Sequence, residues 1–256
     1  MKTLVFTVFL ITIFITSAFG QDVASQKQNR LMVDREADGL KGKVKQVIEE
    51  TMDLKFENGK FVESGRETDS VTEYDEQGNR IKRDAYSSGK VFLKAVYGTL
   101  DGERISKEEF INDADSPPIL VVNPKKEEKQ KDNSFSYKFR YKYDENGNRV
   151  EESWISNTGE TWIQDTIVFD EKGNITKQIR RHRGESKISS VDSFKYNDKG
   201  FLIEETITLA DDEPEKYEST EFDSNGNWVK RVVKRKKRDG SFEPFLICYR
   251  KILYFN

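Results

Sequence analysis

The chain has 256 residues, of which 35% are apolar and 35% charged, with ten Tyr and seventeen Phe; charge this dense suits strands with one polar face better than a thick two-sided core. The net charge of −3 leaves no bulk field to favour nucleic acid or an anionic membrane. A single cysteine, Cys248, excludes an internal disulfide, and a single histidine, His182, excludes a multi-histidine metal site.

Met1 to Gly20 reads as a secretory signal peptide: Lys2, an apolar run from Leu4 to Phe14, then small residues at Ala18-Phe19-Gly20. The run is shorter than the ~20 residues of a spanning helix. The mature chain is expected to start near Gln21, to be secreted or periplasmic, and to carry no transmembrane segment. Residues 21–43 read as a polar linker, with a short helical turn at Asn29 to Glu36. The sheet is expected to begin at Val44, and residues 44–112 read as the first run of β-hairpin repeats. Within it Val44 to Phe56, Phe61 to Tyr74, Arg80 to Tyr86, Val91 to Tyr97 and Arg104 to Ile111 are predicted strands. Residues 113–133 interrupt the pattern with Pro117, Pro118, Pro124, the apolar patch Ile119 to Val122 and a charged run; a loop this long is usually functional or disordered. Ile119 to Val122 is apolar enough to dock on a sheet face. Residues 134–256 form the second run of repeats, closing with Trp228 to Lys237 and Phe245 to Phe255.

One phrase organises that second run. Tyr143-Asp144-Glu145-Asn146-Gly147-Asn148 returns as Phe169-Asp170-Glu171-Lys172-Gly173-Asn174, then as Tyr196-Asn197-Asp198-Lys199-Gly200-Phe201, and finally as Phe222-Asp223-Ser224-Asn225-Gly226-Asn227. The leading aromatics at 143, 169, 196 and 222 are 26, 27 and 26 residues apart, a fixed period that marks a repeat architecture. Tyr74-Asp75-Glu76-Gln77-Gly78-Asn79 is a further good copy, and Tyr97 to Gly102 reads as a decayed one. In each good copy the Asp starts a turn by accepting from backbone two residues on, and the Gly takes the φ > 0 position. Asp75, Gly78, Asp144, Gly147, Asp170, Gly173, Asp223 and Gly226 are therefore assigned as structural turn residues. Between the turns the pattern has period two. Phe135, Tyr137, Phe139, Tyr141 and Tyr143 alternate with Ser136, Lys138, Arg140 and Lys142, so aromatics share one face and cations the other. A second turn signal in each period makes one repeat two strands and two turns. About fourteen strands follow, in an all-β antiparallel meander, strongly twisted, that wraps its aromatic face inward or splits into two lobes near residues 112–133. Arg250 and Lys251 would guard the last strand as an open edge.

These turns, together with Gly159-Glu160-Thr161-Trp162, resemble the tyrosine–aspartate (YD) repeats of Rhs-type secreted bacterial proteins. The closing pattern, Phe222 to Arg231 and then Tyr249 to Ile252, is similar to small exported repeat proteins of unknown function. The resemblance implies a fold and an export route, and implies no catalytic residue.

Chemistry-bearing patterns are sparse. Glu151 with Glu152, and Glu204 with Glu205, are strand neighbours on opposite faces, so neither forms an acid/base pair. Turn oxygens such as Asp144 and Asn146 lack the acidic density of calcium loops. Cys248 reads as an inert buried thiol. The feature above this background is Lys230 to Arg238, with seven cations in nine residues. Cations on both faces suggest a hairpin projecting into solvent, and Lys234, Arg235, Lys237 and Arg238 are the candidate anion-binding residues for an anionic glycan or envelope component; the plainer reading is solvated surface. No catalytic residue, metal or cofactor is expected. The reading is an exported, non-enzymatic binding or scaffold module at the cell envelope or beyond it. The alternatives are a carbohydrate-binding module using Trp154, Trp162 and Trp228, and a hydrolase with an acidic site in the groove of a curled sheet.

Overall fold

The computed structural model describes residues 31–57, 60–111, 134–182, 188–210 and 213–256. The signal peptide, the turn at Asn58-Gly59 and the loop 113–133 lie outside the described residues. One short helix, α1 (Asp34–Ala37), precedes fourteen strands: β1 (Val44–Glu57), β2 (Lys60–Tyr74), β3 (Arg80–Ser87), β4 (Lys90–Leu100), β5 (Glu103–Phe110), β6 (Ser134–Tyr143), β7 (Arg149–Ser156), β8 (Thr161–Phe169), β9 (Ile175–His182), β10 (Ile188–Tyr196), β11 (Leu202–Leu209), β12 (Glu215–Phe222), β13 (Trp228–Lys236) and β14 (Phe242–Tyr254).

Each strand pairs antiparallel with the next, and β14 pairs with β1, so the meander closes into a barrel. This corrects two expectations. The sheet does not split near residues 112–133, because β5 and β6 pair directly across that insertion, with Ser106 opposite Tyr137. There is also no last edge to guard. Arg250 sits opposite Glu49 and donates to it at 2.8 Å, and Lys251 reaches Glu50 at 2.7 Å. Closure pairs both end strands along the wall, which removes the hazard of a long open sheet; β2 pairs with β3 only over Ser70–Tyr74, so its first half, from Lys60, has β1 as its one neighbour among the described residues.

The period-two pattern divides inside from outside. On β6 the aromatics point inward, and Tyr97, Phe139 and Ala95 form a cluster with Tyr141 and Trp154 packed against it. Their neighbours Lys138 and Lys142 point outward and pair with Glu103 at 2.5 Å and Glu151 at 2.8 Å. Farther round the wall Lys195, Glu204, Lys216, Glu218 and Lys234 form one outward ladder, with links of 2.6, 2.6, 3.2 and 2.6 Å. Individually such exposed pairs contribute only about 0–1 kcal/mol, and outward apolar side chains such as Val96, Val168 and Leu253 share the wall with them.

The interior is not a continuous hydrophobic core. Among the described residues the apolar clusters are two, the one on β4 and β6 and a second made of Leu40, Val44, Val47 and Tyr74 at one mouth. Beside apolar residues such as Val233 and Ile167, the inner face carries Glu49, Glu152, Asp165, Arg180, Glu205, Arg231 and Arg250, with Arg83, Arg104, Glu108 and Asp192 in the same registers. Arg180 faces inward and is bound to Asp165, yet its side chain remains 38% exposed, so the lumen admits water. Barrels of eight strands are just filled by their side chains and those of sixteen or more hold an aqueous channel; fourteen strands lie close to the second case.

A repeat of two strands returns the chain to the same end of the barrel each time. The turns at 75–79, 144–148, 170–174, 197–201 and 223–227 therefore ring one mouth. In the turn at 144–148 the Asp144 carboxylate accepts from the amides of Asn146 at 2.9 Å and Asn148 at 2.8 Å, and from the Asn148 side chain at 2.9 Å. Gly147 closes the turn with φ of 79°, and Gly78, Gly173 and Gly226 lie at 94°, 81° and 81°. The weak copy keeps the geometry: Asn197 replaces the Asp and holds the amides of Lys199 at 3.0 Å and Phe201 at 2.9 Å. Tyr97 to Gly102 is not a copy of this turn. It ends in a two-residue hairpin with φ of 51° at Asp101 and 80° at Gly102, the pattern of a type I′ turn.

Candidate functional site

Residues 31–43 do not form a linker; they seal the mouth that the repeat turns surround. Arg35 N–H donates to the Gly78 carbonyl and Met32 N–H to the Gly147 carbonyl, both at 2.9 Å. Lys41 and Asn227 exchange two bonds, at 2.7 and 2.9 Å. Lys41 also donates its ammonium to the Gly200 carbonyl. The turns thus offer backbone carbonyls and an Asn side chain to an incoming segment, and the segment supplies the matching donors.

At the centre of this plug Asp34 is a hub. Its carboxylate accepts from Arg104 Nη2 at 2.9 Å, from Arg149 Nη2 at 3.0 Å and from the Arg80 amide at 3.0 Å. Burial alone would raise its pKa, but Arg149, Arg80 and Arg104 together hold it below the ordinary carboxylate value. Asp38, one turn on, accepts from the Tyr74 hydroxyl at 2.6 Å and from Arg80 at 2.5 Å. Burial and the Asp38 charge push the Tyr74 phenol up. Leu40 then enters the apolar cluster with Val44, Val47 and Tyr74. The plug is fixed by both charge and packing.

Beyond the plug the inner wall has two characters. One arc is aromatic: Tyr137 meets Trp154 with ring centroids 5.9 Å apart and Trp162 at 6.1 Å, and Trp154 stands edge-on to Phe139 at 5.2 Å. The Trp154 indole N–H donates to Glu152 at 2.7 Å. The other arc is ionic. Arg180 grips Asp165 with two bonds of 2.8 Å, Arg231 reaches Glu205 at 2.7 Å, and Arg250 holds Glu49. Burial would raise the Glu49 carboxyl, but Arg250 and Ser70 keep it low. Two inward carboxyls have no such partner among the described residues. Burial raises Glu108, and burial with the Glu205 charge pushes Asp192 up to about 6; one Asp192 oxygen is buried without a hydrogen bond.

The residues singled out from sequence fall outside this lumen site or at its edge. The basic run does not form a projecting hairpin. It alternates along the barrel wall, and acids from neighbouring strands meet it. Lys234 bonds Glu218 at 2.6 Å, Arg235 lies 3.4 Å from Glu215 and over the Phe245 ring, and Lys237 reaches Glu243 at 2.8 Å. Arg238 is exposed at the turn. Trp228 is buried under the guanidinium groups of Arg231 and Arg250, 4.0 and 3.7 Å from its ring. Trp154 and Trp162 face the lumen rather than the outside. His182 ends β9 in an exposed position. Cys248 faces inward, and burial with the Glu49 charge pushes its thiol up to about 12, which makes it a poor nucleophile. Sequence reasoning missed the Asp34 hub. Its signal was an acidic residue in a polar segment whose three arginine partners lie 46, 70 and 115 residues away.

No protein-family model and no curated protein matches the chain. Among solved structures it is similar to a porin-like protein from Bacteroides uniformis, at 9% identity and a TM-score of 0.41, over 82% of this chain and 96% of that one. It is also similar to a DUF1329 family protein from Desulfovibrio piger, at 11% identity and a TM-score of 0.26, over 86% and 89%.

Proposed function

We propose that this chain is an exported, water-soluble, non-enzymatic binding barrel of the cell envelope or its surroundings, which takes a ligand into its lumen through the mouth opposite the plug. The observation that carries this reading is the division of the sheet's two faces. A lipid-facing barrel needs an outward apolar band ~25 Å tall, and a Lys or Arg at the bilayer midplane costs ~2–4 kcal/mol. Here the outward face of β10 to β13 carries the Lys195–Glu204–Lys216–Glu218–Lys234 ladder, which crosses the strands from the turn at 197–201 toward the opposite end. The functional groups of distinct character, aromatic and ionic, instead face inward. Glu49, Glu152, Asp165 and Glu205 are each tied to an arginine, which suits a binding wall; Glu108 and Asp192 are the inward carboxyls to which a catalytic role would fall.

The test is to extract the protein from cells with and without detergent and to determine the N-terminus of the product. Release without detergent, with a start near Gln21, is the expected result. A protein that leaves the membrane fraction only with detergent would overturn the reading.

The half-exposed aromatic arc favours a second, narrower reading: a ligand with a sugar or planar face that stacks on Trp154 and Trp162. Trp154→Ala should then abolish glycan retention while leaving the barrel folded. Wild-type protein that retains no member of a glycan panel would remove it.

A further inference from the structure

Beneath the plug the lumen holds a cavity of about 180 Å³ between Asp38 and Leu40 on one side and β1, β2, β3 and β14 on the other. At ~30 Å³ per water this is room for about six waters, or for one small polyatomic ion with some of them. Three guanidinium groups line it, those of Arg80, Arg83 and Arg250, against two carboxylates, those of Asp38 and Glu49. The carboxylates are already taken. Asp38 pairs with Arg80 at 2.5 Å and Glu49 with Arg250 at 2.8 Å. Arg83 is left with no hydrogen bond or ion pair among the described residues. It projects from β3 opposite Thr72, which lines the same cavity. Its charge is felt by Glu49, which Arg250 already holds, and by Asp69 and Glu108, neither of which forms an ion pair with it.

A half-buried guanidinium with no protein acceptor is met by water, and an anion that offers it two oxygens can displace that water. Its donors form a rigid fork that matches two oxygens of a carboxylate or phosphate. We propose that this cavity is an oxyanion site, in which Arg83 grips two oxygens of a carboxylate or phosphate group, Thr72 donates a further hydrogen bond, and the paired Arg80 and Arg250 supply positive potential. The proposal rests on the lumen being the ligand-facing surface. It adds the class of ligand, one with a small anionic end, and its depth: the anionic end lies against the plug and the remainder points up the lumen toward the open mouth.

The experiment is calorimetric titration of the purified protein with inorganic phosphate and, separately, with acetate, at constant ionic strength. Saturable binding of at least one is expected, and the one that binds tells a phosphate end from a carboxylate end. Arg83→Gln should weaken it at least tenfold with an unchanged melting curve, Arg83→Lys should keep part of the affinity, and Arg238→Gln at the exposed turn should change nothing. Equal binding by wild type and Arg83→Gln would overturn the site, as would the absence of binding by wild type to both anions at 10 mM, on the order of the weakest affinities worth assigning to a built site. Loss of binding on replacing Lys234, Arg235, Lys237 and Arg238 together, with Arg83 intact, would also overturn it and move the anion to the outer wall. A protein that needs detergent yet binds phosphate through Arg83 would contradict the water-facing barrel and leave this site standing.

Discussion

Asp34 carries three arginines on one carboxylate, two through side chains and one through a backbone amide. Removing Asp34 leaves Arg104 without its ion-pair partner, while Arg149 keeps Glu152 and Arg80 keeps Asp38; breaking a buried pair typically costs about 3–5 kcal/mol. Asp34→Ala is therefore expected to lower stability by that order in urea melts, well above Asp239→Ala at an exposed turn. The pH dependence has a definite sign. Asp34 and Glu49 are held below their ordinary values, so their contribution is complete above the unfolded carboxylate range and is lost as pH falls through the folded values, below about 4. Asp192 acts oppositely. Its carboxyl titrates near 6 in the folded barrel and near 3.8 unfolded, so stability falls as pH rises between those values. Asp192→Asn should stabilise the protein at pH 7.5 by about 1–2 kcal/mol, after allowing for lumen water that screens the full shift, and should flatten the melting temperature between pH 4 and 6. A stability profile unchanged by Asp192→Asn would show that the carboxyl is well solvated. None of these side chains could be chosen from sequence. Among 46 acidic residues nothing in local spacing separates Asp34 or Asp192 from the many that lie on the outer wall, because what distinguishes them is which arginines closure brings near.

The turns were the most legible elements. Asp or Asn at the first position and Gly at the fourth were readable because the chemistry is local: the carboxylate bonds amides two and four residues on, and only Gly adopts φ near 80° without strain. Their surroundings were not readable, and these differ from copy to copy. A Cβ at Gly173 would meet nothing within 4 Å, whereas one at Gly226 would enter the Phe201 ring and one at Gly78 would stand 2.8 Å from Val33 of the plug. Gly173→Ala should cost about 1–2 kcal/mol for the left-handed backbone alone. Gly226→Ala should cost that plus about 1–3 kcal/mol for overpacking. Gly78→Ala should in addition loosen the plug and speed hydrogen exchange at the Arg35 amide, which bonds the Gly78 carbonyl. Equal melting temperatures for the Gly173 and Gly226 variants would contradict the packing assigned to Phe201. Over residues 31–43, the described part of the 21–43 linker reading, the expectation failed for a related reason. A segment without period-two pattern does look unstructured by itself; residues 31–43 are ordered by acceptors that the turns present from four distant hairpins.

At the scale of the whole molecule, strand number, antiparallel order and the inward aromatic face all followed from the repeat and its two-residue periodicity. Closure did not, because the pairing of β1 with β14 joins residues some 200 apart, such as Glu49 and Arg250, and no local signal records it. The alternation on the closing strands is nevertheless consistent with it: inward Glu49 meets inward Arg250, and outward Glu50 meets outward Lys251. The same closure fixes the function proposed, since an open sheet would expose its ionic and aromatic face to bulk solvent and hold no lumen. The most direct test is amide hydrogen exchange on the protein in detergent-free buffer, read strand by strand. A closed, water-facing barrel predicts a soluble monomer in which the amides of Val47 to Met52 on β1 and Ile247 to Ile252 on β14 are protected as strongly as those of the central strands β6 and β7. Fast exchange on β1 and β14 with protection elsewhere, or a protein that stays in solution only with detergent, would contradict it.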